Sequence, residues 1–491
     1  DSTNMMRNSN RLIQYFKNKG YFDATLTPDV IPTGQRKAEV RYSIQKGQQY
    51  RLDSIQFSIA ARELEALVTD NMQESFLIPG AGFNIDDFEA ERKRMLTLFR
   101  NAGVYNFQEN SLSFTAAIDS SGQDKFIGIE MAIDNPKIRV GDSLVSQPYR
   151  IHWVKRINIF IESQQLGAGL DNYSDSTTYN GIHIYSKGPL KYRPKALANS
   201  LFIQKDSTYS DQERLLTYRY FNELENFKYP SITYQPISDS LPFLETNIRL
   251  TPKEKFSLGL DFDLSHSNIQ FFGLGLGTST AIRNVLGGAE VLKVGVQSSF
   301  GASSNNSEQL SRFFDLFELG SDLNLQIPRL LLPVDLDRII TKKMNPKTDL
   351  TLGFAIQENI GLDKQFFKGT YQFDWQPTVR KRIQFKWIDL EFVNNRNLSN
   401  YFNVYRNSYD RLNRIALDYN TDPNSLDSSG NLVIPEGTSQ FIAAVLNNET
   451  PLDIEDEAFK TVNTVKERLD RLTANNLILG SSFSMNFNSQ E

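Results

Sequence analysis

The 491 residues include no cysteine. That excludes a disulfide framework, a thiolate metal site and a thiol nucleophile, and it selects no compartment. There is no basic excess either: 53 Lys and Arg face 58 Asp and Glu, for a net charge of −5. A dedicated nucleic-acid binder carries a basic stripe, so no nucleic-acid partner is expected. Histidine is scarce. His152, His183 and His266 are too far apart for a His-x-x-His or His-Glu-x-x-His pattern, and each reads as an isolated polar residue. No Gly-x-Ser-x-Gly elbow is present, and "GLGLG" is followed by neither GxGxxG nor a Walker lysine. With acidic residues scattered as well, no enzymatic activity, metal or cofactor is expected. No run approaches the roughly 18 apolar residues of a membrane helix, so any crossing of a bilayer has to be made by a closed β-barrel. The opening "DSTNMMRNSN" has no n-region or h-region, and both ends are expected to lie within a longer protein.

What the first half does have is a repeat. "NRLIQYFKNKGYF" places Leu12, Ile13, Tyr15 and Phe16 at helical spacing and stops at Gly20. "DDFEAERKRMLTLFRNAGVY" does the same with Phe88, Met95, Leu96 and Phe99, stopping at Gly103. A third copy, "DQERLLTYRYFNELENFKYP", carries Leu215, Leu216, Tyr220 and Leu224. The two glycines suit the left-handed position that ends a helix. Two strand-like runs follow each helix: "DATLTPDVI" and "KAEVRYSIQKG", then "NSLSFTAAID" and "DKFIGIEMAID", then "SITYQPI" and "LETNIRLTP". Further strands open the later units at Tyr50 and Tyr149, and "ARELEALVTDNM" adds a helix after the first of these. The unit therefore reads strand, helix, helix, strand, strand.

The second half changes period. In "KFSLGLDFDLSHS", Phe256, Leu258, Leu260, Phe262 and Leu264 alternate with Ser257, Gly259, Asp261 and Asp263, as in a strand with one apolar and one wet face. "GLGLGTSTAI", "EVLKVGVQSSF", "LFELGSDLNLQI", "DLTLGFAIQ", "GTYQFDW", "RIQFKWIDLEF" and "LILGSSFSMNF" continue the series, the seventh changing phase near Trp387. Several of these strands reach the roughly 9 to 11 residues that a tilted strand needs to cross a bilayer. Charged residues stay almost wholly on the small, polar face, as a lipid-facing barrel requires. A soluble β-sandwich alternates in a similar way, but strand length and aromatic strand ends favour the barrel. If the first strand runs outward, antiparallel counting makes "SHSNIQFF" and "GASSNNSEQLSRFFD" outer loops, and "RNVLGGAE" and "PRLLLPVDLDRIITKKMNPKT" inner turns. Residues 394–476 then form a polar outer insertion with helical signals in "TSQFIAAVLNN" and "EDEAFKTVNTVKERLDRLTA". It could cap a pore, contact a surface partner or be partly disordered.

The repeat order resembles the POTRA domain of the BamA/TamA superfamily of outer-membrane assembly factors. Tyr192 to Val296, with "IRNVLGGAEVL" as the first inner turn, resembles the TamL branch of Bacteroidota. That resemblance implies an α+β POTRA array followed by an antiparallel transmembrane β-barrel. The expected domains are a partial POTRA at 1–48, full ones at 49–140 and 141–252, and the N-terminal part of a barrel at 253–491. The superfamily closes a 16-stranded barrel and carries a Val-Arg-Gly-Phe-like motif on a late loop. Here that motif is absent and about half the strands are present. The implied role is to receive unfolded barrel proteins on periplasmic POTRA edges by β-augmentation and insert them through a lateral seam. Phe256, Leu258, Gly259, Leu260, Phe262 and Leu264 are the candidate gate strand, with Gly259 either weakening it or making room in the lumen. Leu112, Phe114, Ile232 and Tyr234 mark the candidate client-binding edges. The implied partners are the outer-membrane bilayer, unfolded clients and an inner-membrane TamB-like protein. The alternatives are a translocation pore of the two-partner secretion type and a periplasmic scaffold.

Overall fold

A computed structural model of the chain describes residues 2–35, 37–118, 125–140, 142–162, 173–238, 240–266, 270–303, 316–336, 338–358, 363–419 and 422–489. The centre of "SHSNIQFF" and most of "GASSNNSEQLSRFFD" lie outside them. The backbone divides into two compact units. The first comprises residues 1–189, 198–219 and 229–250, and the second comprises 190–197, 220–228 and 251–491.

In the first unit, helix α1 (Ser2–Asn18) precedes an antiparallel hairpin of β1 (Thr25–Gly34) and β2 (Lys37–Gln45). The second repeat runs β3 (Arg51–Ile59), α2 (Arg62–Asp70), α3 (Ile85–Asn101), β4 (Leu112–Ile118) and β5 (Phe126–Ile133). Its sheet order is β3-β5-β4, with β3 parallel to β5. The helical spacing read in α3 is the spacing that packs: Phe88, Met95 and Phe99 are buried. Asn84 caps the helix by accepting from the Asp86 amide.

A short hairpin of β6 (Lys137–Val140) and β7 (Ser143–Ser146) then leads to the third repeat. That repeat has β8 (Trp153–Ile161), β9 (Asp175–Tyr179), β10 (Ile182–Ser186), α4 (Pro194–Asn199), α5 (Asp211–Glu223), β11 (Phe227–Pro236) and β12 (Phe243–Pro252). The sheet order is β11-β12-β8-β10-β9. The expected order of elements is present, and the β9–β10 hairpin is inserted into it. Its turn, Asn180-Gly181, has φ of 49° and 74°, the left-handed pair that a two-residue hairpin needs and that an Asn-Gly dipeptide signals.

In the second unit all eight expected strands form: β13 (Phe256–Ser265), β14 (Gln270–Arg283), β15 (Val291–Ser303), β16 (Leu316–Ile327), β17 (Lys347–Glu358), β18 (Asp363–Thr378), β19 (Lys381–Arg396) and, after the insertion, β20 (Asn476–Phe487). They make one antiparallel sheet in chain order. Register carries one face across it: Leu260 opposes Thr278, Thr278 opposes Val296, Val296 opposes Ser321 and Ser321 opposes Phe354. Among the described residues this face bears charge only near strand ends, at Glu358, Asp363, Lys381 and Arg396. The phase change read at Trp387 is a β-bulge. Lys386 opposes Gln372 and Ile388 opposes Tyr371, which leaves Trp387 as the extra residue. The bulge keeps Phe385 and Ile383 on the same face as Leu390 and Phe392.

The insertion between β19 and β20 is folded. Helices α6 (Tyr401–Val404), α7 (Arg406–Tyr419), α8 (Glu436–Leu446) and α9 (Glu457–Thr473) enclose their own core of Tyr401, Leu412, Phe441, Val445 and Val462. The two helical signals read in the sequence are α8 and α9. Its base is closed by Asn395, whose Nδ2 donates to the Ala474 carbonyl at 2.7 Å and whose amide donates to Asn475 Oδ1 at 2.9 Å. Among the described residues no helix of the chain is long and apolar enough to cross a membrane.

The joints between repeats reuse one device. Gly20 (φ 83°) and Gly103 (φ 115°) follow α1 and α3 in left-handed backbone. The Gly20 carbonyl accepts from the Tyr50 amide at 2.9 Å, and the Gly103 carbonyl accepts from the His152 amide at 3.0 Å. A Cβ at Gly20 would lie 2.8 Å from the Phe83 carbonyl oxygen, and one at Gly103 would lie 2.6 Å from Ile151 Cγ2. Each glycine thus ends its helix and lets the next repeat approach. His152, in the second joint, packs edge-on against Tyr105 at 4.8 Å. Burial holds its pKa below the ordinary value of 6.5. The folded chain therefore binds this proton less readily than the unfolded chain. The joint is at full strength above pH 6.5 and loses stability as pH falls below it. Hydrogen exchange of the intact chain is expected to speed up at residues 103–105 and 150–153 between pH 7.5 and 5.5, and His152→Gln is expected to abolish that dependence.

Candidate functional site

The candidate gate strand is the first strand of an open sheet. β13 bonds to β14 along one side, and among the described residues neither β13 nor β20 has a second neighbour. On the other side the backbone N–H and C=O groups of each have no ladder partner among the described residues. Phe256, Leu258, Leu260, Phe262 and Leu264 all stand exposed on the apolar face. Gly259 lies on the other face, opposite Ser279. A Cβ there would meet the Ser279 hydroxyl at 2.7 Å and no backbone atom closer than 3.8 Å. Other glycines of this face meet longer partners. Asp261 stands opposite Gly277, Asp263 opposite Gly275, Asp322 opposite Gly295 and Gln297 opposite Gly320. A long polar side chain on one strand lies over a glycine on the next, the alternation of large and small that fills the inside of a curved sheet.

The four residues marking the other candidate edges stand differently. β4 and β11 are edge strands of two separate sheets. Leu112, however, is buried and Phe114 is packed among the helix-side cores. Ile232 and Tyr234 are half-buried, with Tyr234 edge-on to Tyr209 at 4.8 Å, and burial pushes the Tyr234 phenol well up from its ordinary pKa. These side chains support their strands from within. What β4 and β11 offer outward is backbone.

Sequence reading missed the residues that fix the start of β13. In the turn between β14 and β15, Asn284 and Gly287 take positive φ of 54° and 85°. The Glu290 carboxylate folds back to accept from the Gly288 amide at 2.8 Å. Glu290 is fully buried, with Arg329 Nη2 3.9 Å from its other oxygen. A Cβ on Gly288 would strike that carboxylate at 2.4 Å, so the Gly-Gly-x-Glu spacing is a packing requirement. Segments 190–197 and 220–228 close over the turn. The Arg193 amide donates to the Gly287 carbonyl at 2.7 Å, Asn284 Nδ2 donates to the Lys191 carbonyl at 2.8 Å, and buried Asn226 Nδ2 donates to the Ala289 carbonyl at 2.8 Å. Arg283 then ties in the first strand, donating to the Glu225 and Glu254 carbonyls at 3.1 and 2.8 Å and to Ser257 Oγ at 3.3 Å. The base of β13 is thereby held. Glu290→Ala strands the Gly288 amide in a dry site and is expected to cost about 1 to 3 kcal/mol, read as a lower thermal unfolding midpoint of the intact chain. Glu290→Gln keeps an acceptor and is expected to cost less.

No family model and no curated protein matches this sequence. Among solved structures, the chain is similar to BamA from Haemophilus ducreyi lacking POTRA domains 1–3, at 8% identity and a TM-score of 0.43, over 90% of this chain and 60% of that one. It is also similar to POTRA3–5 of Haemophilus influenzae BamA, at 14% identity and a TM-score of 0.25, over 50% of this chain and 80% of that one. A third similarity is to CdiB from Acinetobacter baumannii, at 7% identity and a TM-score of 0.27, over 80% of this chain and 70% of that one. The chain thus spans about 60% of the length of the first of these.

Proposed function

We propose that this protein is an outer-membrane assembly factor. Its repeats lie in the periplasm and capture extended, unfolded barrel proteins on bare sheet edges. Its eight-stranded sheet lies in the bilayer, and β13 templates the client strand by strand. The observation that carries this reading is the coincidence, in one eight-stranded sheet, of an apolar face charged only near its strand ends and a first strand whose base is fixed by the Glu290 turn. In lipid every unsatisfied backbone group costs several kcal/mol, so a client strand that adds to β13 loses that penalty as it enters. The finer assignment, a TamL-like factor, rests on the resemblance of the segment from Tyr192 to Val296, and an inner-membrane TamB-like partner is proposed with it. A translocation pore is the second reading. It is favoured by the polar face, where Asp261, Asp263, Lys293, Glu318 and Asp322 line one concavity of the kind that walls an aqueous passage.

Two measurements test this. Leu352→Arg, in the middle of the apolar face, is expected to destabilise the membrane-inserted protein by roughly 2 to 4 kcal/mol. Thr351→Arg, on the polar face, is expected to cost well under half of that. Equal costs would remove the bilayer from the reading. Photo-crosslinking in cells from a probe at Leu260 is expected to capture nascent barrel proteins. Adducts confined to the protein's own strands would end the insertase reading and leave the pore.

A further inference from the structure

The inner connection 328–346 is longer than an antiparallel pair needs, and it does not simply hang from the end of the sheet. Its described residues, 328–336 and 338–346, fold over the apolar face. Ile327, Thr348, Phe373 and Phe385 share that face by register. Higher on the same face Leu352 is 53% exposed, yet Thr348 is 0% and Phe373 is 1% exposed. The connection covers them. Thr348 Oγ1 donates to the Arg329 carbonyl at 2.7 Å and accepts from the Leu331 amide at 2.9 Å. The Tyr371 hydroxyl, also on this face, donates to the Leu331 carbonyl, and Tyr220 donates to the Pro328 carbonyl at 3.0 Å. The segment is therefore a fixed ledge on the outer wall.

The ledge turns apolar side chains outward a second time. Val334 is 63% and Ile339 is 71% exposed, and Leu331 is exposed beside them. Exposed aliphatics also occur elsewhere on this chain, as at Ile78, Leu144 and Ile454; here three stand on one connection laid against the apolar face. Basic residues are interleaved with them: Arg338, Lys342 and Lys343 within the segment, against Asp335 and Asp337. The neighbouring inner turn repeats the combination, with Val379 80% exposed and followed by Arg380 and Lys381. Apolar tips with flanking cations, set at the end of an apolar wall, have the chemistry of an element lying at a headgroup boundary.

We propose that residues 328–336 and 338–346 anchor this protein to anionic glycerophospholipids of the leaflet at the inner end of the sheet. Leu331, Val334 and Ile339 sit at the acyl boundary, and Arg338 and Lys343 sit against lipid phosphates. This rests on the reading that the apolar face of the sheet meets a bilayer, and the test separates the two. The chain has no cysteine, so Ile339→Cys or Leu352→Cys alone carries an environment-sensitive dye. The intact chain is reconstituted in vesicles of phosphatidylcholine with or without phosphatidylglycerol. Both dyes are expected to shift to the blue, the one at 352 quenched by deep spin labels and the one at 339 by shallow ones. The shift at 339 should grow with phosphatidylglycerol. Arg338→Gln with Lys343→Gln should weaken that dependence by about five-fold per charge. A dye at 352 in lipid with one at 339 in water overturns the anchor and leaves the bilayer reading standing. Both dyes in water overturn both. A response at 339 that ignores phosphatidylglycerol overturns the phosphate assignment.

Discussion

Keeping phase is the constraint on which the second unit depends. In a strand a slip of one residue exchanges the two faces, and here one face is apolar while the other carries nearly all of the charge. Eight strands in series must therefore agree on parity, and the departures from regularity serve that agreement. At Trp387 the chain spends one residue on a bulge, without which Asp389 and Glu391 would turn to the apolar side and Leu390 and Phe392 to the polar one. Between β14 and β15 the tight Gly-Gly-x-Glu turn fixes where the second strand begins, so Leu292 opposes Ile282 and parity passes on intact.

The polar face obeys a second rule, of size. Glycines recur opposite Asp261, Asp263, Asp322 and Gln297, where a Cβ would crowd the facing side chain; elsewhere on the face long polar side chains do stand abreast, as Glu318 and Gln357 or Lys368 and Glu391 do. The alternation of glycine with acid in "GLDFDL" and "GLGLG" is one packing pattern seen from two strands. Gly259 stands outside that pattern, facing only the rotatable Ser279 hydroxyl.

Much of this was legible because it is local. Period two announced all eight strands, period 3.6 announced α1, α3 and α5, and Gly20 and Gly103 marked helix ends with the φ expected of them. The β9–β10 hairpin was readable from Asn180-Gly181 but was masked by the expectation of a simpler repeat. Helix α7 is mostly polar and buries only Ser408, Leu412 and Ala416, which leaves a faint stripe. Long-range facts had no local trace. That β4 and β11 are edges follows from sheet order. The burial of Glu290 depends on segments some 60 to 100 residues earlier in the chain. Nothing in the run of aliphatics from Leu330 says that it folds back over Thr348 and Phe373.

The asparagine clasp at the base of the helical insertion has a consequence for how the last strand joins. Bringing the ends of a flexible connection of some 80 residues together carries an entropic penalty that grows with the logarithm of its length. Here the helices condense on their own core, and Asn395 and Asn475 deliver the two ends side by side. To β19 and β20 the excursion is then no longer than a hairpin. Its sequence and size are free to drift so long as the clasp and the core persist, and the sheet has no stake in what the helices become.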